Sequence, residues 1–188
     1  MSYYDLDDIL ADAEKLPCQF NYTIPGLGYL EGNPGKSIKK GTKIELPFWL
    51  AEILAILEID DDNNKNQNLI NDDNQEKLNF ITLDDPEFIN EKVINAIKSN
   101  SESLNLNKLS SQYYEMIIKW LNLIYEPKLI EVIMNCLKQR SFKINNFSNN
   151  INQKHFNNEF LYYLDEFEKK LFRDSIESNK LMKNWLKE

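Results

Sequence analysis

All five glycines of this chain lie between Gly26 and Gly41, and four of its six prolines fall between Pro17 and Pro47. Tight turns need residues that tolerate left-handed or fixed backbone angles, so turns are concentrated in the first third of the sequence. Within that stretch Gln19 to Ile24 and Thr42 to Leu46 alternate apolar and polar residues, the pattern of half-buried strands. A helix is expected before them, over about Asp5 to Glu14, with Leu6, Ile9, Leu10 and Ala13 on one face. Another should open at Pro47, whose fixed φ suits a first helical turn, with Phe48, Leu50, Ala51, Leu54 and Leu57 as its stripe. Residues 1–58 thus read as a small, β-rich α/β module. Residues 59–83 read as an acidic, Asn-rich linker followed by a strand near Leu78 to Leu83 that returns to the first module.

From residue 84 onward the periodicity is helical, and the expected fold class is mainly α: a C-terminal helical bundle over 84–188 behind the small N-terminal module. Asp85 and Pro86 suggest an N-cap and first helical position for a helix carrying Phe88, Val93, Ile94 and Ile97. A second helix is expected over about Lys108 to Glu126, a third over Lys128 to about Phe142, and a fourth over His155 to Lys187. The second is apolar around most of its circumference, with Tyr113, Trp120 and Ile124 among its large side chains. Such a helix must be enclosed on several sides, and a domain of this size has little interior to offer. The fourth spaces Phe160, Leu164, Phe167 and Leu171 in heptad fashion and resumes with Leu181 and Trp185 after a polar gap at Asp174 and Ser178. Tyr113, Trp120, Ile124, Phe160, Leu164, Phe167, Leu171 and Trp185 are therefore the candidate packing or interface residues. Phe167 is expected to be fully buried.

Charge and motifs narrow the function classes. Thirty Asp plus Glu against 22 Lys plus Arg give a formal charge of −8, which argues against a global basic field for nucleic acid. Lys36, Lys39, Lys40 and Lys43 form a local exception, a basic edge suited to phosphate or an acidic protein surface. Cys18 and Cys136 lack paired spacing, so neither a disulfide framework nor a zinc site is expected. The start of the chain lacks a basic n-region and an apolar h-region, and no run approaches the ~20 residues of a membrane span. A soluble intracellular protein is the expectation.

Catalytic signatures are absent. Gly35-Lys36-Ser37 resembles the tail of a phosphate-binding loop, but Leu30 occupies the position of its first glycine and strand-like sequence follows. Gly26, Gly28 and Gly32 miss the dinucleotide spacing by one residue. A calcium loop begun at Asp60 meets Lys65 where glycine is required. His155 has no nucleophile signature beside it, and Asp165 and Glu168 read as i,i+4 partners of Lys169, Lys170 and Arg173 on one solvated helix. No catalytic residue, cofactor or metal ligand is assigned.

Several strings occur in a distinctive order: Tyr3-Tyr4-Asp5-Leu6-Asp7-Asp8-Ile9-Leu10-Ala11-Asp12, Leu16-Pro17-Cys18-Gln19-Phe20, Ile24-Pro25-Gly26-Leu27-Gly28-Tyr29-Leu30-Glu31 and Leu46-Pro47-Phe48-Trp49-Leu50-Ala51. With Lys92 to Lys98, Lys119-Trp120 and Lys183-Asn184-Trp185, they make the chain resemble the Psf-three subunits of the eukaryotic GINS complex, in their fungal form. The resemblance covers nearly the whole chain and departs mainly in the Asn/Asp-rich linker. It implies a β-rich domain ahead of a helical domain, and a non-enzymatic subunit of a nuclear 1:1:1:1 heterotetramer with three sister GINS subunits. It further implies association with the Mcm hexamer ring and its Cdc-type cofactor as the replicative helicase, contact with the leading-strand polymerase, and at most weak or indirect contact with DNA. No membrane partner is implied. Neighbouring subunits are then expected to enclose the apolar second helix. The alternative is a DNA-contacting module using the Lys36–Lys43 edge.

Overall fold

The computed structural model describes residues 4–59, 78–149 and 159–187. The expectations placed on the acidic stretch 60–77 and on His155 lie outside the described residues. Two compact units emerge, one formed by residues 12–86 and the other by residues 1–11 with 87–188. The helical unit thus takes up most of the first helix, which sequence periodicity alone assigns to the 1–58 module. The fold class is mainly α with a small sheet in the N-terminal region, in agreement with expectation.

In the first unit, β1 (Lys15–Phe20) lies between β2 (Lys43–Pro47) and β5 (Ile81–Leu83), antiparallel to both. Its register places Leu16 opposite Leu46, and Cys18 opposite Ile44 on one side and Leu83 on the other. Alternation along a strand sends every second side chain to one face, and Leu16, Cys18 and Phe20 are buried accordingly. Phe48 and Ala51 of α2 (Phe48–Ile56) join that core, with Ile81 from the returning strand. Pro17, which has no N–H to donate, sits just past the end of the β5 pairing, where its carbonyl still accepts from Asp84 N at 3.0 Å.

Two strand boundaries differ from the alternation pattern. The first strand runs over residues 15–20 rather than 19–24, and Ile24 makes only an isolated bridge to Ile38. The cause is Asn21, whose side chain donates to Asn79 O and Thr82 Oγ1, both at 2.8 Å, and so competes with continued strand pairing. The expected strand at 78–83 is split at Phe80. Its N–H turns to Leu57 O, so β4 (Leu78–Asn79) pairs with β3 (Glu58–Ile59) while β5 pairs with β1.

The helical unit contains residues up to Ala11 of α1 (Leu6–Ala13), then α3 (Glu91–Asn100), α4 (Leu106–Leu109), α5 (Tyr113–Leu123), α6 (Pro127–Asn149), α7 (Glu159–Tyr162) and α8 (Glu166–Trp185). α3 begins later than the Asp85-Pro86 pair suggests: Glu87–Ile89 form a 3₁₀ turn, and Asn90 caps the α-helix by accepting from Lys92 N. The second expected helix is two, because Ser110 adopts an extended backbone after α4. α6 runs past Phe142, since Leu129, Ile133, Cys136, Arg140, Ile144 and Ser148 carry one buried stripe through to its end. The expected fourth helix breaks between Tyr162 and Glu166. α6 and α8 run parallel, as Arg140 meets Glu168 and Ser148 meets Ser175 further along both.

Candidate interaction surface

The helical unit is pinned by a side chain that periodicity does not single out. Arg140, on the buried stripe of α6, is fully enclosed. Its Nε and Nη2 donate to the two carboxylate oxygens of Glu168, each at 2.7 Å, in a bidentate pair. Nη1 donates to Ser101 O at 2.7 Å and Leu104 O at 3.0 Å, and Nη2 also donates to Tyr163 O at 3.2 Å. All five guanidinium N–H groups are thereby used. Glu168 also accepts from the Tyr114 hydroxyl at 3.0 Å. The reading of Asp165 and Glu168 as solvated i,i+4 partners is therefore corrected: both are buried, and Glu168 pairs across elements.

Asp165 explains the helix break. Its Oδ1 accepts from Glu168 N at 2.8 Å as the N-cap of α8, and its Oδ2 accepts from Tyr114 N at 3.3 Å. Tyr163 O accepts instead from Leu106 N and from Arg140. The apolar spacing continues across this point and hides it. Burial, reinforced by the nearby Glu168 carboxylate, raises the Asp165 pKa to about 7, against the lowering effect of the amides and Arg140. Burial also pushes the Tyr114 hydroxyl up, with Glu168 adding to it. The Arg140 guanidinium loses basicity through burial but regains more from Glu168, so its pKa is raised.

Around this frame the candidate residues separate into two groups. Tyr113, Trp120, Phe160 and Leu164 are buried within the chain itself. Phe160 and Leu164 form a core with Ile144, against which Phe147, Leu171 and Phe172 pack. Phe160 also carries Arg140 and Lys143 over its ring, at 5.2 and 4.5 Å from the centroid. Much of the enclosure expected from other chains is thus supplied to α5 by its own chain, through Tyr113, Tyr114, Met116, Ile117 and Trp120. Phe167 is 42% exposed rather than fully buried, touching Tyr114 edge-on at 5.7 Å. The α8 N-cap turns it away from the inner side occupied by Glu168. Ile124 and Trp185 are exposed.

The outward apolar surface is larger than the sequence pattern suggests. Leu6, Ile9 and Leu10, the stripe of α1, are exposed, and Ala11 is the buried residue of that helix. Its acids lie near Glu115, whose pKa rises chiefly through burial and then through Asp8 and Asp5, while Lys119 pairs with Asp8 at 2.8 Å. On α5 Ile118 faces out. Leu181, Met182, Trp185 and Leu186, at and just beyond the end of α8, are between 61% and 74% exposed. In the other unit, Trp49, Ile53 and Ile56 line the open side of α2.

Lys36, Lys39 and Lys40 are exposed around Ile38, which is fully buried, on a loop tied by the Ile24–Ile38 bridge. Gly28 permits that loop: a Cβ there would lie 2.5 Å from both Asn33 O and Lys36 O. Lys43 is exposed but committed to Asp84 at 2.6 Å. A cleft of about 310 Å³ opens between α3 and α6, lined by Glu91, Ile94, Lys98, Glu126, Lys128 and Leu129 among others. Among the described residues no cluster of three His, Cys, Asp or Glu side chains is placed to hold a metal ion, and no helix is long and apolar enough to cross a membrane. The arrangement offers apolar helix faces and one basic loop, which is the chemistry of protein association.

Comparison with known proteins follows the same division of the chain. A family described as the PSF3 N-terminal domain matches residues 4–56, and one described as the GINS complex protein helical bundle domain matches residues 88–187. The chain is 57% identical over 185 residues to the DNA replication complex GINS protein PSF3 of Candida albicans, covering 98% of this chain and 97% of that protein. It is 54% identical to the protein of that name from Debaryomyces hansenii, over 100% of this chain and 98% of the relative. The Saccharomyces cerevisiae protein is 38% identical, with 99% and 98% covered.

Proposed function

This chain belongs to the PSF3 family of GINS proteins, and on that premise we propose that it is a non-catalytic subunit of a heterotetrameric GINS complex in the nucleus. It assembles 1:1:1:1 with three sister subunits. The complex works in the initiation and elongation of DNA replication as part of the replicative helicase, with the Mcm ring and its Cdc-type cofactor, and touches the leading-strand polymerase. The observation that carries this reading is the set of large apolar side chains turned outward on α1 and at the end of α8, in a chain similar to GINS subunits along its whole length. Apolar surface of that kind is stabilised by covering it with another protein. The chain's part is then structural: the Arg140–Glu168 frame holds the helices, and the helices present their outer faces to sister chains. Phe167, Leu171, Ile124 and Trp185 are assigned to that contact, while Tyr113, Trp120, Phe160 and Leu164 support it from within.

Co-expression with the three sister subunits tests this directly. The expected result is a single species on sizing that contains all four chains in equal amounts. A chain that elutes alone as a stable monomer beside the other three sinks the proposal.

The exposed Lys36, Lys39 and Lys40 favour a second reading, a weak contact with the DNA backbone made by the assembled complex. Reversing these three charges should then lower the DNA affinity of the complex and flatten its salt dependence. Unchanged affinity eliminates the contact.

A further inference from the structure

The last two turns of α8 carry side chains that the bundle does not use. The last anchored residues of the helix are Ser175 and Asn179, whose side chains meet Ser148 at 2.6 and 3.4 Å. Beyond them the helix continues to Trp185, and every residue from Lys180 to Lys187 is exposed. At about 100° per residue, Leu181, Met182, Trp185 and Leu186 share one arc, and Lys180, Lys183 and Lys187 share the opposite one. Among the described residues no ion pair engages those three lysines. Exposed Asp174 and Ser178 separate the arc from Phe167 and Leu171, so it is a patch of its own. Two turns of helix are marginal in water without a partner, and four large apolar side chains gain nothing while solvated.

We infer that residues 180–187 form a docking helix for an apolar groove with an acidic rim on another protein of the assembly. Trp185, flanked by Leu181 and Met182, fills the groove in the manner of an amphipathic helix laid into a cleft. Lys180, Lys183 and Lys187 meet carboxylates along its edge and fix the orientation. The inference rests on the reading of this chain as a subunit of a larger complex. An anionic lipid surface is the poorer occupant, because Asp174 and Glu177 adjoin the patch and the chain carries a net charge of −8.

The test uses the assembled complex of the full-length chain with its three sister subunits. Dissociation of this chain on dilution is followed for the wild type, for Leu181→Ala/Trp185→Ala, and for Lys180→Glu/Lys183→Glu/Lys187→Glu. The apolar pair is expected to weaken assembly about 30-fold, the ratio for loss of a strong anchor. The charge-reversed variant should weaken it about tenfold at low salt, with the difference disappearing at high salt. Hydrogen exchange on the wild type, which needs no substitution, should show residues 180–187 protected only in the complex. Wild-type affinity in both variants, with 180–187 unprotected, overturns the docking helix and leaves the subunit reading intact. Failure of the wild-type chain to assemble overturns both. Loss of binding to phosphatidylserine vesicles in both variants, with assembly unchanged, assigns the patch to lipid and also overturns it.

Discussion

Arg140 and Glu168 show how a few residues decide the stability of the helical unit. A buried ion pair gains little over an apolar pair of the same shape, but a buried charge left alone is costly. Arg140→Met should therefore destabilise the chain by about 3–5 kcal/mol, and Arg140→Met/Glu168→Leu by less, because the stranded carboxylate is gone. Chemical denaturation of the two variants checks this, and a double variant worse than the single one contradicts it. Three backbone carbonyls lose their donor in either case, so the double variant should not recover wild-type stability. Asp165 makes a pH-dependent statement. Its pKa is raised from 3.8 to about 7 in the folded chain, so the fold retains a proton that the unfolded chain releases near pH 4. That contribution is complete below about pH 4 and is lost as the pH rises through 7. The stability of the wild type relative to Asp165→Asn should thus fall between pH 4 and 7, by up to about 1.4 kcal/mol per unit. A difference that stays flat across that range shows that Asp165 is not protonated in the fold.

The elements divide by how locally they are determined. The helix at 48–56 follows from Pro47 and a run of helix-forming apolar residues, and α6 from its repeated stripe; both are legible in the sequence. The break between α7 and α8 is not, because Phe160, Leu164, Phe167 and Leu171 keep a helical spacing across it. What interrupts the helix is Asp165 accepting from Tyr114 N, 51 residues away, together with Arg140 drawing on Tyr163 O. Long-range hydrogen bonds of this kind leave no periodic trace. The consequence is measurable. Phe160, 3% exposed between Ile144 and Leu164, should lose about 3–5 kcal/mol on replacement by Ala. Phe167→Ala should cost clearly less in the isolated chain, since part of its ring is already in water. Equal losses in thermal unfolding argue against the break.

At the scale of the molecule, the boundary between a turn-rich region and a helical one was visible in the placement of glycine and proline. What composition could not reveal is that α1 divides its residues between the two units, or that its apolar stripe points outward. An apolar stripe looks the same in a sequence whether it is covered by its own chain or by another. The pairing of β3 with β4 has a further consequence. Glu58 faces Asn79 and Ile59 faces Leu78, so the sequence from 60 to 77 leaves and re-enters the fold at one point. Length added there changes only the entropy of closing a ring, about 0.6 kcal/mol for each doubling. Doubling this insert should leave the melting temperature nearly unchanged, whereas the same addition at Gly28 should unfold the first unit. Evolution has had the same freedom: descendants of one ancestral gene can lengthen or shorten this stretch while inheriting the rest of the architecture unaltered.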